Sequence, residues 1–131
     1  MGAVYSIHLR IKVTDRTSAA EALRTKIARG DQEYTSYSLE HYQSLGVGTD
    51  SLEDLLKIFF GGWEAKLESS KGNKGFTKYD SAFDASYGWE GVMIRAFKEM
   101  APYLEEESSI RIYPDSGVDY GRVKNGKVIW K

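Results

Sequence analysis

The stretch Ala3–Val13, AVYSIHLRIKV, places an apolar residue at every odd position and sets Ser6, His8, Arg10 and Lys12 between them. Successive side chains of a strand point to opposite faces, so this alternation predicts a strand with one buried face and one polar, basic face. The apolar face calls for helices to cover it, and the rest of the chain supplies them.

After this strand, Thr17 and Ser18 open a helix: Ser18 and Glu21 stand at capping-box spacing, Leu23 and Ile27 share one side, and Gly30 ends it. Asp31–Gly48, DQEYTSYSLEHYQSLGVG, has no clear period and many turn-forming residues, and reads as a loop. In TDSLEDLLKIFF, Thr49 or Asp50 caps a second helix, with Leu52, Leu55, Leu56 and Phe59 on one face and Gly61–Gly62 at its end. Trp63, Ala65 and Leu67 then alternate with charged residues, and SSKGNKG turns the chain toward Phe76, which predicts a β-hairpin.

Ser81–Met93, SAFDASYGWEGVM, reads as the start of a third helix, capped by Asp84 or Ser86. Trp89, Val92, Met93, Ala96, Phe97 and Met100 recur at the spacing of a buried helical face. SIRIY, VDYGRV and VIWK follow as three strands, joined by the turn sequences PDSG and KNGK. The order β–α–(loop)–α–β–β–α–β–β–β predicts an α+β fold: a single domain over residues 1–131, with a mostly antiparallel sheet and about three helices packed on one face.

With 131 residues the chain can bury one core without staples, and it has no cysteine. That excludes disulfides, thiolate metal sites and cysteine nucleophiles. No run approaches the roughly 20 apolar residues of a membrane helix, and the alternating N-terminal stretch lacks the hydrophobic centre of a signal peptide. A soluble, cytoplasmic protein is expected.

His8 and His41 are the only histidines and have no ligand partner at helix spacing, so no metal or other cofactor is expected. No serine occupies a nucleophile elbow, and FFGGWEA follows a helix where a phosphate loop would follow a strand. Asp80, Asp84, Glu90, Asp115 and Asp119 leave a carboxylate-dependent magnesium enzyme as a third option. Against it, Asp84 as a cap and Asp115 as a turn residue each have a local explanation, and no catalytic residue is assigned.

The net charge of −1 argues against a general nucleic-acid coat protein but hides separated charge. Arg10–Arg29 is mainly basic, whereas Asp31–Leu56 carries six acids and no lysine or arginine. That acidic segment also holds Tyr34, Tyr37 and Tyr42, and tyrosine is enriched in protein interfaces. Glu33, Tyr34, Tyr37, Glu40 and Tyr42, with Tyr87, are therefore the expected partner-binding residues of a non-enzymatic protein-interaction module. The alternative is a nucleic-acid-binding protein using a basic sheet face: His8, Arg10 and Lys12 joined by Tyr120, Arg122 and Lys124, should the terminal strands bring these to the same side.

The segments FDASYGWEGVM, APYLEEESSIRIYPDSGVDYGRV and KNGKVIW resemble small uncharacterised proteins of bacteriophages and bacterial mobile elements, over about Phe83–Trp130. The resemblance implies no functional residues. It implies a context in which small proteins bind and block host machinery, and so an inhibitor of a host nuclease or defence complex as the specific form of the interaction reading.

Overall fold

A computed structural model describes residues 2–28, 43–44, 46, 48–60, 68–86, 89–113 and 118–130. In it the alternation of the first strand is realised: β1 (Gly2–Ile11) buries Tyr5, Ile7, Leu9 and Ile11 and leaves His8 exposed, as is Lys12 just after it. Val13, beyond the strand, makes an isolated bridge to Leu104. Helix α1 (Arg16–Ala28) follows, then α2 (Leu52–Phe60), β2 (Glu68–Lys71), β3 (Thr77–Ser86), α3 (Trp89–Met100), β4 (Ser109–Tyr113), β5 (Asp119–Lys124) and β6 (Lys127–Trp130).

The strands form one sheet in the order β2-β3-β1-β4-β5-β6, and every pairing is antiparallel. β1 lies inside it, opposite β3 in a ten-residue register from Gly2↔Ser86 to Ile11↔Thr77, and opposite β4 from Ser6↔Tyr113 to Arg10↔Ser109. The described helices α1, α2 and α3 all lie on one side. Leu23 of α1, Leu55, Leu56 and Phe60 of α2, and Met93, Phe97 and Met100 of α3 join Ile7, Leu9, Phe83, Ile110, Ile112 and Val123 of the sheet in one core. Each such fully buried side chain contributes about 1.5–3 kcal/mol of apolar burial. The α+β arrangement, with helices on one face of an antiparallel sheet, is as the sequence predicts.

Several local expectations are corrected. Asp15, rather than Thr17 or Ser18, caps α1: its Oδ1 accepts a hydrogen bond from the Ser18 amide at 3.0 Å, and its Oδ2 from the Ser18 hydroxyl at 2.8 Å. Ser51, rather than Thr49 or Asp50, caps α2 by accepting from the Asp54 amide at 3.1 Å. Ser69–Lys71, read as turn, is strand, and the turn is Gly72–Phe76 around a 3₁₀ segment. The largest correction is at Ser81–Ser86: these residues complete β3, and the helix begins only at Trp89. Asp84 stands opposite Val4 in the sheet instead of capping a helix. The 63–67 segment lies outside the described residues.

The KNGK turn is as read, with Asn125 at φ 53° and Gly126 at φ 75°, the positive pair that a tight hairpin requires. On β5, Gly121 faces the core side beneath Trp130, where a Cβ would fall 2.7 Å from Cζ3 of that ring. A side chain there would displace the indole.

Candidate nucleic-acid interface

Strand periodicity decides which side chains share the sheet's second face. His8 stands opposite Asp80 on β3 and Arg111 on β4; Arg10 stands opposite Lys78 and Ser109; Arg111 and Ser109 stand opposite Tyr120 and Arg122 on β5. Arg122 and Lys124 in turn face Ile129 and Lys127 on β6. Cross-strand partners point to the same side, so these residues line the face opposite the helices, and Lys12, just beyond β1, is exposed next to it. Among the described residues, no helix covers it.

His8, Arg10, Tyr120, Arg122 and Lys124 lie on one face, with Lys12 just past the end of β1. The structure adds Lys78, Arg111, Tyr113 and Lys127, which the sequence reading missed. Arg111 and Tyr113 were accessible in principle, since they are the outward positions of the alternating SIRIY. Lys78 was not, because its strand was not recognised at its full length.

Two of the arginines are held by rings and not by acids. The Arg10 guanidinium carbon lies 3.8 Å from the centroid of Phe76, and that of Arg111 lies 4.9 Å from the centroid of Tyr120. Phe76 is 8% exposed yet stands outside the main core cluster, so its burial serves the open face. The His8 ring meets Tyr113 edge-on at 5.6 Å. Stacking fixes the cations while leaving their N–H groups directed at solvent.

Among the described residues, Arg10, Lys12, Lys78 and Arg111 have no carboxylate within ion-pair distance. Elsewhere arginines are neutralised: Arg16 pairs with Glu53, and Arg24 pairs with Glu21 and also donates to the Thr49 and Asp50 carbonyls. On the face itself, Arg122 is the exception, with Glu107 at 3.4 Å. Like charges directly opposite across strands are destabilising, yet Arg10 faces Lys78 and Lys124 faces Lys127. An anion on this face would relieve that repulsion.

Among the described side chains, the acid well inside the basic cluster is Asp80, whose Oδ1 lies 2.6 Å from His8 Nδ1, with both side chains half exposed. Around this pair the sheet forms a hollow of about 320 Å³, walled by Arg10, Lys78, Ser109 and Arg111. A second hollow of about 290 Å³ separates α1 from α2 beside Arg16, Arg24 and Glu53. Its charges satisfy one another. Burial pushes the Glu53 carboxyl up, but the hydrogen bond and charge of Arg16 outweigh it and hold the group below its ordinary range. Burial likewise raises the Tyr79 phenol, whose hydroxyl donates to Glu53 at 3.4 Å. This is a structural ion pair joining two helices to β3.

The remaining expected site residues, Glu33, Tyr34, Tyr37, Glu40, Tyr42 and Tyr87, lie outside the described residues. Among the described residues no three His, Cys, Asp or Glu side chains gather as metal ligands, and no helix is long and apolar enough to cross a membrane. Comparison with known proteins returned no match: no family model, no curated protein and no solved structure.

Proposed function

We propose that the protein is a non-enzymatic binding module that holds single-stranded nucleic acid on its open sheet face. The observation that carries this reading is Arg10 and Arg111, each stacked on an aromatic ring, unpaired with acid among the described residues, and set on one uncovered face with Lys78 and Lys124, next to Lys12. Lysine and arginine contacts to phosphate supply affinity, while guanidinium planes and rings such as Tyr113 and Tyr120 give unpaired bases a surface to stack on. A duplex hides its base faces and gains nothing from the rings, so preference runs to single strands.

Fluorescence anisotropy with labelled single-stranded RNA, single-stranded DNA and duplex of equal length, at low and at moderate salt, tests the reading. Single strands are expected to bind tighter than duplex, with affinity falling steeply as salt rises and lost in the Arg10→Ala, Arg111→Ala double variant. Absence of binding even at low salt overturns it.

The charge separation of the sequence favours a second reading, a protein-interaction module docking through its acidic, tyrosine-bearing segment, with a host nuclease or defence complex as the target. Affinity capture from a bacterial lysate with and without nuclease treatment separates the two. A stoichiometric partner that survives nuclease, and is lost when Glu33, Tyr34, Tyr37 and Glu40 are replaced, supports docking through the acidic segment.

A further inference from the structure

Within the basic face, the hollow around His8 differs from its surroundings because it concentrates cations from three strands on one point. Arg10 of β1, Lys78 of β3 and Arg111 of β4 wall it, and Ser109 adds a hydroxyl. Its volume of about 320 Å³ is at the lower end for small-molecule sites, room for a phosphate group with part of its attached sugar.

His8 sits at the centre with its Nδ1 against Asp80 and, among the described residues, no hydrogen-bond partner on its other ring nitrogen. The Asp80 bond fixes the ring. The edge-on contact with Tyr113 limits its rotation from the other side.

We propose that this hollow is a phosphate-ester site, in which the protonated His8 imidazole joins Arg10, Lys78 and Arg111 around one phosphate of the bound strand. The proposal rests on the sheet face being the nucleic-acid surface. With a neutral imidazole, the Asp80 carboxylate offsets part of the charge of the three cations that share the hollow. Protonation of His8 cancels that carboxylate, so the site becomes more attractive to an anion.

Other groups on the same face beside it are Tyr120 and Arg122 from β5. Arginine, lysine, tyrosine and carboxylate side chains ordinarily titrate outside pH 5–8, whereas imidazole changes charge within it. Affinity should therefore rise as pH falls across that window.

The test titrates a labelled oligouridylate with a free 5′-hydroxyl, whose phosphates are all internal diesters, at pH 5.5 and pH 8 and constant ionic strength. Wild type is expected to bind severalfold tighter at pH 5.5, His8→Gln to give a flat profile, and Asp80→Asn to gain affinity at pH 8. Arg111→Ala is expected to weaken binding at both values, with Lys98→Ala on the helical side as the control. Circular dichroism confirms that each variant is folded.

A 5′-phosphorylated oligouridylate separates the two sources of the ligand: equal affinity assigns the hollow to an internal diester, and a gain that His8→Gln abolishes assigns it to a terminal phosphate. Binding with the same pH profile in wild type and His8→Gln overturns the phosphate site while leaving the sheet-face reading intact. Failure of every oligonucleotide to bind at either pH overturns both.

Discussion

The guanidinium of Arg10 rests over the ring of Phe76, 3.8 Å from its centroid, and this contact couples the open sheet face to the turn that joins β2 to β3. A cation over a ring is worth about 0.5–1 kcal/mol at an exposed site and about 2 when desolvated. Phe76→Leu keeps apolar volume but removes the ring, so Arg10 loses its fixed position. Oligonucleotide affinity should fall toward that of Arg10→Ala, with a drop in melting temperature from the lost packing. Unchanged affinity in Phe76→Leu would show that the stack does not position Arg10.

Counterion release makes the logarithm of single-strand affinity fall with the logarithm of salt concentration by about 0.7 per phosphate contacted. Replacing Arg10 and Arg111 together should lower that slope by about 1.4, one contact each. Binding measured across a salt series in wild type and the double variant reads the difference directly. An equal slope in both would mean that neither guanidinium touches a phosphate.

Gly121 offers a test of the fold that is independent of function. A Cβ there would lie 2.7 Å from Trp130 Cζ3 and 2.9 Å from Val128 Cγ1, too close for the hairpin to keep its packing. Overpacking of this kind costs about 1–3 kcal/mol. Gly121→Ala should lower the unfolding midpoint in urea and change the near-ultraviolet signal of the indole.

The Arg16–Glu53 pair predicts a dependence of stability on acid. Glu53 is held below its ordinary carboxyl value of 4.5 in the folded protein, so it contributes stability that is fully present above that value and lost as pH falls below it. Both side chains are more than half exposed, which limits the contribution to less than about 1 kcal/mol. Urea unfolding of wild type and Glu53→Gln should differ more at pH 7 than at pH 3.5. A gap of the same size at both values would assign the effect to packing instead of charge.

The α+β architecture was legible because its elements carry unbroken signals: the alternation of Ala3–Val13, the helical stripe from Val92 to Met100 and the Asn125–Gly126 turn. The full length of β3 was not. On its core side Ser81 interrupts the apolar alternation between Tyr79 and Phe83, and Asp84 and Ser86 are residue types that also cap helices. What makes that segment a strand is its register against β1, a tertiary term that no local pattern contains. The basic face was legible only as a condition, since the first and the fifth strands never touch and are brought to one side by β4 between them.

The position of β1 also bears on how quickly the molecule reaches its native state. His8 and Asp80, neighbours in the sheet, are 72 residues apart in the chain, and Lys12 meets Ser108 across 96. A strand whose neighbours on both sides come from the second half of the sequence must wait for two long loops to close. Folding rates fall as the average separation of contacting residues grows. The chain should accordingly fold on the slow side for its length, with the apolar side of β1 exposed to aggregation until β3 and β4 arrive.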